Sequence, residues 1–311
     1  MSVPSASVAS AGRQQTSAPG WLSRNAAGYL FLTPWLLGFL GLTLGPALAS
    51  LYLSFTDYDL LQSPNFVGAD NYIRIGTADP KFAAAMKVTL LYVVLSVPLK
   101  LIFALALAMA FNRGIRGLPV YRAVFYLPSL LGSSVAIAVL WRQLFAADGL
   151  VNSLLYYIGI NGPSWISNPR YSLYTLVVLS VWQFGSPMII FLAGLRQIPQ
   201  DMYEAASLDG ASKARQFFKI TLPLLTPVVF FNFVIQTIEA FKAFTPSFII
   251  SEGSGGPINS TLFYTLYLYQ EAFSYFRMGY ASALAWILVL IIAVFTAFSF
   301  LTSRYWVHYD D

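Results

Sequence analysis

Asn232, Gln236 and Glu239 recur at intervals of four and three residues, with Lys242 one turn further on, inside an otherwise apolar run. On a helix that spacing puts all four on one face. A charge at the centre of a membrane helix costs about 2.5 to 3.5 kcal/mol on insertion scales, so such a face marks either a solute path or a contact between helices. Amide and carboxylate side chains can donate to and accept from a hydroxyl-rich solute. Gln183, in an earlier apolar run, offers the same chemistry, and Trp182, Phe241 and Phe244 offer ring faces for the apolar side of a cyclic solute. The competing reading stays open: the amides join helices to one another, and Glu239 with Lys242 is a plain ion pair.

Other chemistry is harder to place. No run carries the acid, base and nucleophile that membrane hydrolysis needs, so a non-catalytic chain is expected. The glycines of Glu252 to Pro257 are not followed by the Lys-Ser or Lys-Thr of a nucleotide-binding loop, nor does that order occur elsewhere. The segment reads as a flexible outer loop, and ATP hydrolysis is not expected of this chain. With no cysteine, disulfides and thiolate metal sites are excluded. The single histidine, His308, reads as a solvated end residue, and no metal site is expected.

The elements that must position these residues are set by composition. Hydrophobic residues make up 57% of the 311 and charged ones 10%, which places the chain among integral membrane proteins. A helix needs about 20 apolar residues to cross a bilayer. Leu30 to Phe55, Val88 to Phe111, Ala123 to Phe145, Leu173 to Leu195, Leu224 to Ile250 and Tyr280 to Thr302 each qualify, predicting six transmembrane helices in an all-α fold. Pro34, Pro46, Pro98, Pro128 and Pro187 fall in or near these runs and mark candidate kinks. The expected organisation is a flexible N-terminal tail over 1–27, a six-helix domain over 28–303 and a short tail over 304–311. Ala47-Leu48-Ala49 looks like a signal-peptidase site, but the apolar stretch before it is too long for a signal peptide core.

Between the fourth and fifth runs lies a polar, helix-friendly stretch, Glu204 to Pro223. Pro199 can open a helix with Asp201 near its positive end, and Met202 to Leu208 continue it with a small Ala205-Ala206 pair. Gly210 should stop that helix, because glycine takes a left-handed conformation at little cost. Ala211 to Ile220 would then leave at a new angle as a second short helix, making a rigid knob with Lys213, Arg215 and Lys219 on it and Leu208, Phe217 and Phe218 as apolar surface. Positive charges favour this side as cytoplasmic. Arg13, Arg24, Arg113, Arg116, Arg122, Arg196, Lys213, Arg215, Lys219 and Arg304 would lie inside, against Arg74, Lys81, Lys87, Arg142, Arg170 and Arg277 outside. Both termini are then expected in the cytoplasm. The net charge of +5 reads as topology and contact with membrane lipid, with no nucleic acid implied.

Glu204, Ala205 and Ala206, Gly210 after three residues, and Ile220, Leu222 and Pro223 nine residues beyond resemble the EAA loop of bacterial ABC importer permeases. Phe66 to Tyr72, Tyr121 to Pro128, Trp141 to Phe145 and Gly149 to Asn152 are similar to the first permease subunit of maltose-type carbohydrate importers. The resemblance implies the type I ABC importer permease fold in a bacterial inner membrane, with the EAA coupling loop over 196–223. It implies a second related permease, a dimer of ATP-binding subunits that holds ATP and Mg, and an extracytoplasmic solute-binding protein, with a carbohydrate as solute. ATPase coupling would fall to Glu204, Ala205, Ala206, Asp209, Gly210, Ile220, Leu222 and Pro223. The outer loops are too short for the large inserted domain of some maltose-type subunits. Two alternatives remain: a self-sufficient secondary transporter or channel, which would show inverted repeats and broken helices, or an importer permease for a non-sugar solute. Lys100 and Lys242 raise the further possibility of an acidic sugar, such as a uronate or sulfonated sugar, unless Lys100 snorkels to the interface and Glu239 neutralises Lys242.

Overall fold

The computed structural model describes residues 21–112, 117–132 and 134–308, and the side chains of these except 21–27 and 118. The tail over 1–20, Arg13, Arg113, Arg116 and residues 309–311 lie outside the described residues. Four helices are long and apolar enough to cross a membrane: Gly28–Leu53, Pro80–Asn112, Lys213–Ile250 and Met278–Ser303. Two further crossings are bent pairs. Pro119–Leu131 meets Val135–Leu144 at 96°, and Ser172–Trp182 meets Gly185–Leu195 at 43°. Counting each pair as one crossing gives six, in the order expected from the apolar runs, and these are called spans 1 to 6 below.

The chain divides into two compact units, residues 1–50 and 51–311. In the first, helix begins at Trp21, seven residues before the boundary drawn from composition. Its helix widens into a π turn over Phe39–Leu44, where Gly45 N–H donates to the Leu40 carbonyl ahead of Pro46. Proline has no N–H to give, and a wider turn absorbs the mismatch. The same device recurs in span 5, where a π turn over Phe217–Thr221 precedes Pro223.

In the second unit, span 2 is the central post, packed against both halves of span 4 and against span 5. Ala85, Ala104 and Ala108 on span 2 are fully buried, small side chains that let neighbouring helices approach closely. Leu176, Leu179, Met188, Phe191 and Leu192 of span 4 and Leu225 of span 5 fill the spaces between them. Pro98 lies within the unbroken helix Pro80–Asn112, so it marks no break.

Between spans 5 and 6, past the Glu252 to Pro257 turns that read as a flexible outer loop, the chain is not simply a loop: a short re-entrant helix, Tyr264–Tyr269, enters the core with Leu262, Phe263, Tyr264, Leu266 and Tyr267 buried. The apolar, aromatic sequence from Leu262 to Tyr269 is too short to cross a membrane, but burying it against span 2 removes large aromatic surface from solvent. Tyr92 of span 2 packs on Phe263 with ring centroids 4.6 Å apart, and Thr89 Oγ1 accepts from Tyr264 N–H at 2.8 Å. The turn around Phe66 to Tyr72 is held to the end of span 1: Asn71 donates to the Ser54 and Thr56 carbonyls, and Tyr72 OH donates to Ser54 Oγ.

Asp79 ties three of these elements together. Its Oδ1 accepts from Lys81 N–H at 2.9 Å and Phe82 N–H at 3.0 Å, capping span 2, while its Oδ2 accepts from the hydroxyls of Tyr267 and Tyr280. Burial alone would raise this carboxyl; the Tyr267 and Tyr280 hydroxyls and the two N–H groups outweigh it and hold the group below its ordinary value. The stabilisation is therefore complete above the ordinary aspartate range and fades as pH falls through the lowered value. Asp79→Ala should destabilise the detergent-solubilised protein by about 1.5 to 3 kcal/mol. Asp79→Asn, which keeps one acceptor for the cap, should lose less. Thermal unfolding followed by tryptophan fluorescence at neutral pH checks both, and equal melting temperatures for the two variants would contradict the shared-acceptor account.

Candidate functional site

Three spans lose helical regularity around one cavity of about 210 Å³. Gly132 lies at the break of span 3, Gln183 at the break of span 4, and Lys242 to Pro246 where span 5 ends its long helix at Phe241 and restarts at Thr245. Each break frees backbone groups that need partners, because lipid supplies none. Pro187 cannot donate to the Gln183 carbonyl one turn back, and that carbonyl accepts instead from Ser129 Oγ at 2.9 Å. In return Gln183 Nε2 donates to the Gly132 carbonyl at 2.9 Å. A β-carbon at Gly132 would lie 2.2 Å from the Gln183 side chain, so this exchange needs glycine there. In span 5 the Ala243 carbonyl accepts from Thr265 Oγ1 of the re-entrant segment.

The cavity gathers four of the residues singled out by sequence. Gln183, Gln236, Glu239 and Lys242 all line it, with Phe244 as its aromatic wall. Lys242 Nζ sits 3.2 Å from Glu239 Oε1, with both side chains more than half exposed, at 56% and 61%. The ion pair of the competing reading therefore forms, but it forms in the cavity wall.

Three predicted residues fall elsewhere. Asn232 is buried one turn below Gln236, its Nδ2 donating to the Val228 carbonyl at 3.2 Å and its Oδ1 left without a partner. Helical spacing says which side chains share a face; it does not say where neighbouring helices close over that face. Trp182 packs at a tilt against Trp141, ring centroids 5.9 Å apart, and Phe241 is buried, so neither lines the cavity. Tyr92, Lys100 and Ser180 also line it. Tyr92 and Ser180 went unnoticed because a lone hydroxyl in an apolar run is an ordinary helix-packing group.

The second site is an elbow. Helix Gln200–Leu208 ends with Gly210 at φ +75°, where Gly210 N–H donates to the Ser207 carbonyl and Ala211 N–H to the Ala206 carbonyl. That pair of bonds is a Schellman cap. Ser212 then caps the next helix, its Oγ accepting from Arg215 N–H at 3.3 Å. The expected short second helix over Ala211 to Ile220 is corrected: helix starts at Lys213 and runs through the π turn into span 5 without a break as far as Phe241. Nothing between Gln216 and Leu222 stops a helix, and the π turn lets Pro223 be accommodated.

The elbow is clasped from within. Buried Gln216 donates from Nε2 to Ser207 Oγ at 2.9 Å and to the Ala211 carbonyl at 3.2 Å, and Tyr203 OH lies 2.9 Å from Thr221 Oγ1. Outward it presents Glu204, Ala205, Asp209 and Gly210, all exposed, together with Leu208 at 90% exposure. Ala206, Ile220, Leu222 and Pro223 are half-buried and form its root.

Comparison with known proteins gives these two sites a context. The family profile described as binding-protein-dependent transport system inner membrane component matches residues 81–306. The probable ABC transporter permease protein YesP of Bacillus subtilis (strain 168) is 53% identical over 288 residues, covering 92% of this chain and 93% of its own. The lactose transport system permease protein LacF of Rhizobium radiobacter is 34% identical over 89% of this chain and 94% of its own. The arabinooligosaccharides transport system permease protein AraP of Bacillus subtilis (strain 168) is 32% identical over 94% and 93%. Among solved structures, a chain of a bacterial alginate ABC transporter in complex with alginate pentasaccharide-bound periplasmic protein superposes with a TM-score of 0.77. It covers 91% of this chain and 96% of its own at 20% identity, a likeness of fold.

Gln216→Ala should loosen the elbow without touching its cap. Losing the two Gln216 hydrogen bonds costs about 0.5 to 1.5 kcal/mol each, enough to raise trypsin cleavage at Lys213 and Arg215 roughly tenfold in native conditions. Timed digestion resolved by mass spectrometry measures this, and an unchanged cleavage rate would mean that the clasp carries no stability.

Proposed function

The chain belongs to the family of binding-protein-dependent transport system inner membrane components, and we propose that it is the membrane permease subunit of an ATP-driven carbohydrate importer. Its partners in this reading are a second, related permease, a dimer of ATP-binding subunits holding ATP and Mg, and an extracytoplasmic solute-binding protein. Both termini and the elbow lie in the cytoplasm, on the side favoured by the positive charges. Carbohydrate is the solute because the named relatives include lactose and arabinooligosaccharide permeases and the cavity is lined by amide, hydroxyl and carboxylate groups beside Phe244.

One observation carries the reading. The second arm of the elbow that would dock on the ATP-binding subunit and the cavity-wall residues Gln236 and Glu239 belong to the same helical run, from Lys213 to Phe241. At 1.5 Å per residue, about 35 Å of helix joins Lys213 to Gln236. When ATP binding draws the ATPase subunits together, Glu204, Ala205, Ala206, Asp209 and Gly210 move with them, and Ile220, Leu222 and Pro223 pass the displacement to Gln236 and Glu239. The cavity then exchanges one membrane face for the other, with no chemistry in this chain. A self-sufficient secondary transporter would share the broken helices around a central site, but it would have no use for a clasped, exposed elbow.

The test is reconstitution of the full assembly with its binding protein and measurement of solute-stimulated ATP hydrolysis over a panel of sugars. Stimulation by a carbohydrate is expected; solute movement in vesicles holding this chain alone would overturn the reading. Within that assembly Gly210→Val should abolish uptake while leaving assembly intact. No atom lies within 4 Å of a β-carbon at Gly210, so the loss comes from backbone strain of about 1 to 2 kcal/mol at φ +75°. Gly210→Asn, which tolerates that region, should retain most uptake. Equal uptake by the Val and Asn variants would show that the bend is not needed.

A further inference from the structure

The cavity wall carries two lysines, Lys100 and Lys242, against one glutamate, Glu239. Lys242 is already paired with Glu239 at 3.2 Å. Lys100 is the cation left over: among the described residues it is in none of the ion pairs, which join Arg142 to Glu252, Lys242 to Glu239 and Arg277 to Glu271. Its position excludes the simplest structural explanation. Lys100 is only partly exposed, and about 18 Å of helix separates it from Asn112 at the end of span 2, farther than a lysine side chain can snorkel. Its ammonium also makes no hydrogen bond to any described side chain or backbone carbonyl, whereas the Gln183, Gly132 and Ala243 carbonyls at the three helix breaks each have a partner. One carboxylate, Glu239, serves two lysines in this wall, which leaves a net positive charge whose cost an anion joining Lys100 would offset.

We propose that Lys100 is the specificity-determining residue of this cavity and that the carried solute is an acidic oligosaccharide, one bearing an oxyanion such as the carboxylate of a uronate or a sulfonate. This rests on the carbohydrate-importer reading above and narrows its substrate class. The oxyanion pairs with the Lys100 ammonium. Gln183, Gln236 and Ser180 bond the ring hydroxyls, and Phe244 covers the apolar face of a sugar ring. The Lys242–Glu239 pair is neutral overall and sets the wall's shape without selecting charge, so the discriminating charge lies on span 2 and not in the polar stripe of span 5.

The experiment uses the complete assembly in proteoliposomes with its binding protein. Its probes are oligouronides from partial hydrolysis of polygalacturonate and of alginate, the same digests after reduction of their carboxyls to alcohols, and sulfated derivatives of the reduced digests. Uptake of acidic oligomers in preference to the reduced ones is expected, and the sulfated arm tells whether a carboxylate is required or any oxyanion serves. Lys100→Gln should lower uptake of the acidic oligomers roughly tenfold or more and leave any uptake of reduced oligomers within about twofold, while Lys100→Arg restores the acidic uptake. Transport of reduced but not acidic oligomers, or an equal loss for both classes in Lys100→Gln, overturns the proposal and leaves the carbohydrate reading standing. Failure of every sugar, acidic or neutral, to stimulate ATP hydrolysis removes both. Should Lys100→Gln fail to assemble, Lys100→Arg decides: acidic uptake below a tenth of the native rate despite a retained charge overturns the proposal.

Discussion

A backbone that leaves the helical path inside a membrane must find every freed carbonyl and amide a partner within the protein, and that constraint organises this molecule. The breaks of spans 3 and 4 satisfy one another: the carbonyl that Pro187 cannot serve accepts a hydrogen bond from Ser129 Oγ, and the Gln183 amide donates to the carbonyl of Gly132. The break of span 5 is served by Thr265 from the re-entrant segment. Helices that must exchange bonds at their breaks must bring those breaks together. Once together, they leave a gap in the helical packing lined by polar atoms. The cavity is thus a consequence of where the breaks lie, and its polar lining is the set of groups that the breaks require plus the few that they do not.

The same economy holds the start of span 2. Asp79 caps span 2 with one carboxylate oxygen and accepts two tyrosine hydroxyls with the other, so a single side chain fixes the entry of the central post, the re-entrant helix and the start of span 6. Between Asp79 and the breaks, span 2 runs unbroken, and this gives the bent spans something rigid to pivot against. A bundle built entirely of broken helices would transmit little. One built entirely of straight ones would have no cavity.

Much of this was legible in the sequence, and the illegible part has physical reasons. Runs of apolar residues long enough to cross a bilayer gave the order of six spans, and of the five prolines marked as candidate kinks, Pro128 and Pro187 lie in the two spans that bend while Pro98 lies in an unbroken helix. Gly210 could be read as the elbow because few residues other than glycine adopt its conformation without strain. The re-entrant helix was missed because its apolar stretch is too short to register as a crossing, and its glycine-rich approach resembles an ordinary loop. The continuity of the elbow with span 5 was missed because Pro223 looks like a helix start, and only the π turn before it shows how the helix carries through. The polar face of span 5 was found, yet Asn232 lies beyond the end of the cavity, since the limit of a cavity is set by neighbouring helices that sequence periodicity does not contain.

The elbow and the cavity make sense only as one object. A force applied at an exposed loop is lost if any joint between loop and site is soft, because the softest element absorbs the displacement. Here every joint is stiffened: Gly210 is locked by two cap bonds, Gln216 closes the angle from inside, Tyr203 fastens the first helix to Thr221, and beyond Thr221 the helix continues to the cavity wall. Compliance is then left to the breaks of spans 3, 4 and 5, where hydrogen bonds run between side chain and backbone and can be exchanged without unwinding a helix. Stiffness at the elbow and exchangeable bonds at the cavity leave the breaks as the softest joints of the bundle.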